Sequence, residues 1–128
     1  MKKYSIEFFG TFFLLLISAL TENPIAIGLG LASLIYVGAH ISGAHYNPAV
    51  SIAMLSLGKI ASTDLLYYVS AQFAGAMIGA TLVWLLYYPH FAITQNADFK
   101  LGVFCTAPAQ RNTIHNLISE TIGTFALV

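Results

Sequence analysis

Apolar runs of near-membrane length alternate along this chain with short polar breaks. Residues 5–21 form the first run, rich in Phe and Leu and carrying one acid, Glu7. Thr21-Glu22-Asn23-Pro24 reads as a turn, because Asn-Pro starts turns and proline suits the first turn of the next helix. Residues 24–41 form the second run, with small residues at Gly28, Gly30, Ala32, Ser33, Gly38 and Ala39. Membrane helices associate through close backbone approach, so this span is predicted to pack inside a bundle. Residues 65–88 form a third run, with Ala71, Gly75 and Gly79 on one small-residue face. Its ends carry Tyr67, Tyr68, Trp84, Tyr87 and Tyr88, as interfacial aromatic belts do. Residues 89–113 are the longest polar stretch, and 114–128 begin a further run too short for the ~20 residues of a crossing.

One short run breaks this rhythm. After His40-Ile41-Ser42-Gly43-Ala44-His45-Tyr46, Asn47 is a good N-cap and Pro48 a good first helical residue. A helix over 47–58 is predicted, and about 11 residues at 1.5 Å each cannot cross a core of about 30 Å. A short apolar helix behind an irregular segment reads as a re-entrant half-helix, and 59–64 as the turn that follows.

Composition sharpens the picture. The 128 residues are 58% hydrophobic and only 8% charged. Soluble domains carry roughly 25% charged residues, so most of this surface must face lipid. No Asp, Glu, Lys or Arg lies between Glu22 and Lys59, or between Asp64 and Asp98. Zero net charge gives no sign of a nucleic-acid partner. The lone Cys105 permits no internal disulfide and has no basic neighbour to make it reactive. His90 and His115 lack the nearby acids or cysteines of a metal site, and neither metal nor cofactor is expected. Met1-Lys2-Lys3 before an apolar run imitates a signal peptide with a poor cleavage site near Ser18-Ala19-Leu20. Glu7 and the later spans favour an uncleaved first span. Lys2, Lys3 and Lys59 fall on one side of the membrane and Lys100 and Arg111 on the other. The short-loop rule then places the N-terminus in the cytoplasm.

Two segments echo each other. Glu7-Phe8-Phe9-Gly10-Thr11-Phe12-Phe13-Leu14 shares its Glu, Gly, Thr, Phe and Leu, at identical spacing, with Glu120-Thr121-Ile122-Gly123-Thr124-Phe125-Ala126-Leu127. A second repeat is therefore expected to begin near residue 120. Three crossings per repeat would invert it, as in transport proteins with discontinuous helices. The sequence is expected to be the first half of a chain roughly twice as long, the rest of the second repeat being missing.

Candidate chemistry concentrates at Ser42-Gly43-Ala44-His45-Tyr46-Asn47-Pro48-Ala49-Val50. A helix start there presents unpaired N–H donors and a partial positive charge. The irregular backbone before it presents carbonyls, tolerated at that depth only beside a wet cavity or inside protein. The residues alone divide evenly between a pore lining and a loop-to-helix cap in a packed bundle. Glu7 likewise reads either as a buried, partnered carboxylate or as an interfacial acid in the first turn of a helix.

The segment resembles the first signature of the major intrinsic protein family, the aquaporins and glycerol facilitators. Besides Ser-Gly-Ala-His and Asn-Pro-Ala-Val, the resemblance includes Glu-x-x-Gly-Thr-Phe at Glu7 and at Glu120, and Gln72-x-x-Gly75 in the third run. It covers essentially the whole sequence, without the family's second Asn-Pro-Ala and its adjacent arginine. The resemblance implies an all-α integral membrane protein, an aquaporin-like right-handed helical bundle. Only its first half is present, with three spans, one re-entrant half-helix and the start of a fourth span. It implies a non-enzymatic channel for water and small uncharged solutes such as glycerol that excludes ions and protons. It further implies a homotetramer at full length in the cell membrane.

Residue by residue, the resemblance makes Asn47 a hydrogen-bond donor to the permeating molecule. Pro48 and Ala49 would meet the tip of the other half-helix. The carbonyls of Gly43, Ala44 and His45 would form an acceptor ladder. Glu7 would brace the loop through His45, and Glu120 would do the same for the other half. Ile27 occupies a selectivity-filter position where water channels commonly carry Phe and glycerol channels Trp. Tyr46 stands where Leu is common, and either narrows the lumen or packs against helices. His40 reads as a packing histidine or a vestibule pH sensor, and Met54 and Met77 as gap fillers. Two rival classes remain: an ion-coupled transporter with broken helices, and a closed structural membrane protein of the same fold.

Overall fold

The computed structural model describes all 128 residues, in two compact units, Met1–Ile93 and Thr94–Val128. Three helices of the first unit are long and apolar enough to cross a membrane: α1 (Lys2–Leu20), α2 (Pro24–Ser42) and α4 (Ser62–Leu86). Between α2 and α4 lies α3 (Pro48–Ser56), nine residues and therefore ~14 Å long. A one-turn helix, α5 (Tyr88–Ile93), closes the unit. The second unit holds α6 (Ala97–Gly102) and α7 (Thr113–Leu127). The stretch read as polar loop thus contains α5 and α6.

Local sequence explains the ends. Asn23 caps α2, its Oδ1 accepting from the N–H groups of Ile25 and Ala26, with Pro24 at the first helical position. Gly43 ends α2 at φ 89°, its N–H donating to Ala39 O. Asn112 caps α7 through His115 N–H. The half-helix ends at Ser56, and Gly58 at φ 67° makes the turn toward α4.

α1 is the hub of the first unit. It lies along α4 and against α2, while α3 packs on α4. Glycine permits the α1/α4 approach. A Cβ at Gly75 would overlap the backbone carbonyl of Phe8, and one at Gly79 would meet Phe12 O at 3.1 Å. Close van der Waals and backbone contact drives helix association where lipid removes the hydrophobic drive between helices.

The distribution of polarity is that of a membrane bundle. Fully buried side chains include Glu7, Ser51 and Gln72, whereas Ile25, Leu29, Tyr36, Phe73 and Met77 are exposed. At one end of the unit, Lys3 Nζ and Tyr4 Oη both donate to Asp64, at 2.7 and 2.8 Å, and tie the start of α1 to the start of α4. The start of α1, the end of α2, the turn after α3 and the start of α4 all line one open cleft there, of about 730 Å³. The segment between α2 and α4 therefore enters and leaves at the same end.

Candidate functional site: a re-entrant turn held by a buried glutamate

The turn Gly43–Asn47 joins the end of α2 to the start of α3. Its backbone departs from ordinary geometry at two non-glycine residues, Ala44 and Tyr46, both at φ 52°. Left-handed backbone costs an L-residue about 1–2 kcal/mol, so something must hold the turn in shape.

Glu7 does so. Its carboxylate is fully buried on α1 and accepts four hydrogen bonds. Oε1 takes Ser42 Oγ at 2.6 Å and His45 N at 3.0 Å. Oε2 takes Tyr46 N at 2.7 Å and Gln72 Nε2 at 2.9 Å. Hydrogen bonds to a charged group contribute about 1.5–3 kcal/mol each, enough to outweigh the strain of both left-handed residues. Ser42 Oγ also accepts from Ala44 N at 3.0 Å. A second tier supports the first. Gln72 Nε2 donates to Ser51 Oγ at 2.9 Å, Ser51 Oγ lies 3.0 Å from His45 Nδ1, and Tyr68 Oη donates to Ser42 O at 2.6 Å. Gln72 Oε1 is buried without a hydrogen-bond partner.

These bonds sort the turn's backbone by chemistry. The N–H groups of Gly43, Ala44, His45 and Tyr46 all find acceptors in the protein. On the acceptor side, Ser42 O takes Tyr68 Oη and Tyr46 O takes Thr11 Oγ1 at 3.3 Å. The carbonyls between them, of Gly43, Ala44 and His45, receive no hydrogen bond from the chain. Asn47 continues the asymmetry. Its Oδ1 accepts from Ala49 N at 2.8 Å and caps α3, while Nδ2 makes no hydrogen bond within the chain. The segment offers a row of acceptors followed by a donor.

Such a tuned polar backbone, deep in a three-span bundle, is a channel-family feature, and comparison with known proteins decides the matter. The sequence pattern of the family described as MIP, major intrinsic protein, matches residues 1–128. The chain belongs to the major intrinsic protein family. Among family relatives, it is 46% identical over 101 residues to the glycerol uptake facilitator protein of Streptococcus pneumoniae, covering 79% of this chain and 43% of the relative. It is 41% identical over 139 residues to glycerol uptake facilitator protein 3 of Lactiplantibacillus plantarum, covering 95% and 58%. The structure of the aquaglyceroporin from Plasmodium falciparum superposes with a TM-score of 0.62 at 30% identity, over 71% of this chain and 43% of that one. The chain thus spans about half the length of the curated relatives it matches. Major intrinsic proteins are multi-pass membrane channels and not enzymes, and the all-α bundle here has the aquaporin fold in part.

The structure gathers Glu7, Gly43, Ala44, His45, Asn47, Pro48 and Ala49 at one locus. It corrects how Glu7 braces the loop. The contact to His45 is made by that residue's backbone N–H, and the imidazole instead faces Ser51 and stacks at 4.9 Å on Tyr68. Tyr46 packs against helices, 4% exposed. Ile27 lies half-buried in the first turn of α2, at the far end of that helix from the turn. Glu120 is exposed on α7, in the second unit. His40 is exposed near the end of α2, and Met54 lines the cleft beside His45. Sequence reasoning missed Ser42, Ser51 and Tyr68 as partners in the network. Their signal was polarity at 42 and 51 inside the long uncharged stretch.

Proposed function

We propose that this chain forms the first half of a pore for water and small uncharged solutes of the glycerol type. The observation that carries the reading is the row of unbonded carbonyls at Gly43, Ala44 and His45 beside the unbonded Nδ2 of Asn47. A solute hydroxyl or water both donates and accepts, so it exchanges its hydration partners for the carbonyls and for Asn47 in turn. An ion would lose a shell that this row does not replace, and the positive end of α3 opposes protons and cations. Pro48 and Ala49 stand at the tip of α3, where the second half-helix of a full-length protein would meet them. Glu120 would brace that second half as Glu7 braces the first. Ile27 is the proposed filter wall, aliphatic where an aromatic is common. The glycerol uptake facilitators among the relatives support this solute class. The second repeat beginning near residue 120, a homotetrameric assembly, and placement in the cell membrane with the N-terminus cytoplasmic belong to the same proposal.

An ion-coupled transporter fits less well. Both oxygens of the buried Glu7 are already committed to turn and helix donors, which leaves no vacant carboxylate for a coupled ion. Stopped-flow light scattering on vesicles containing the full-length protein tests the proposal. Raised water and glycerol permeability is the expected result, and permeability equal to empty vesicles would overturn it. The Ile27→Trp variant is expected to lower the solute size cut-off. An unchanged cut-off in a conducting protein removes Ile27 from the filter.

A further inference from the structure

Tyr46 has an unusually exact seat. Its ring fills space left by two glycines on two different helices: a Cβ at Gly10 of α1 would overlap the ring, and one at Gly38 of α2 would overlap the hydroxyl. The hydroxyl donates to the backbone carbonyl of Leu34, in the middle of α2, at 2.9 Å. The residue adopts left-handed φ to reach that seat, and its N–H is held by Glu7 at the same time. Packing alone would need only the ring. The hydroxyl adds a directional link from the re-entrant turn to α2, the helix whose first turn carries Ile27. Leu34 and Ile27 are seven positions apart, hence on one face of α2 and about 10 Å apart along its axis.

We propose that Tyr46 is a positioning residue whose hydroxyl bond to Leu34 O fixes the offset between Asn47 and the α2 wall that carries Ile27, and so sets the size range of solutes that pass. This rests on the proposed pore function. Glu7 fixes the turn to α1, and Tyr46 fixes it to α2. With both in place, Asn47, the residue directly after Tyr46, has little lateral freedom. With the hydroxyl link gone, the ring still fills its seat and the fold persists, but the turn can move relative to α2.

The test uses the full-length protein in vesicles, with Tyr46→Phe and Gly38→Ala variants, and measures water, glycerol and a larger polyol. Melting temperature in detergent controls for folding. Tyr46→Phe is expected to melt near wild type and to raise polyol relative to water permeability by about threefold or more, the scale of one lost hydrogen bond. Gly38→Ala, which displaces the hydroxyl from Leu34, is expected to shift the ratio the same way, and the double variant to add nothing further. A conducting wild type with unchanged ratios in Tyr46→Phe, or with all solutes scaled equally, would overturn the positioning role alone. A wild type that conducts nothing would overturn the pore reading and this inference together.

Discussion

The carboxylate of Glu7 on α1 receives the backbone N–H of Tyr46 at 2.7 Å, across thirty-nine positions of chain. Through that bond and its three companions, a charged side chain in the first span shapes the backbone of a turn in the third segment. The turn's donors are drawn inward and its acceptors are left outward.

Replacing Glu7 with Gln keeps the volume but presents an NH₂ group to donors. At least one of the four bonds must fail, and buried donors left unpaired cost about 1–3 kcal/mol each. Glu7→Gln is expected to lower the melting temperature in detergent clearly and to reduce solute permeability per folded protein. Size-exclusion melting curves and vesicle assays read the two effects separately.

Ser51→Ala removes the hydroxyl shared by Gln72 Nε2 and His45 Nδ1 but leaves Glu7 its four donors. A milder loss of about 1–2 kcal/mol is expected, smaller than for Glu7→Gln under the same melting assay. An equal or larger loss would mean that the second tier, rather than Glu7, carries the turn.

The glycines separate packing from propensity. Gly75→Ala places a methyl on the Phe8 carbonyl and must push α1 from α4, with a cost expected above about 3 kcal/mol and poor recovery of folded protein. Gly28→Ala meets nothing within 4 Å. It is expected to be neutral or slightly stabilising, since alanine is the better helix former. Comparing the two melting temperatures checks the contact directly.

Asn47→Ala deletes both the cap and the free amide. The cap alone contributes about 1 kcal/mol, whereas Asn47→Asp keeps the cap and removes only the donor. Both variants are expected to lose solute permeability, with Asn47→Asp retaining the greater stability. Permeability retained in Asn47→Asp would remove the amide donor from the conduction path.

Much of this was legible from the residues. Helix lengths, the Asn-Pro starts of α2 and α3, and the small-residue face at Gly75 and Gly79 follow from caps and close packing, which are local rules. The pairing of Glu7 with the turn was legible only through the family resemblance, and then with the wrong partner atom. The reason is physical: backbone N–H groups carry no residue identity, so nothing in the letters marks those of His45 and Tyr46 as the donors. Tyr46 stayed ambiguous because its seat is made by the absence of side chains at Gly10 and Gly38, on two other helices. The short helices α5 and α6 were hidden by polar composition that suits loops equally well.

The Glu7 network also constrains the order of biogenesis. Glu7 is synthesised first, its turn donors follow 35 to 39 positions later, and Gln72 only after 65. Until α4 emerges, the first span carries an acid that the hydrocarbon layer rejects. That helix should linger at the insertion machinery, or near the headgroups, and settle to its final depth only when the third crossing arrives.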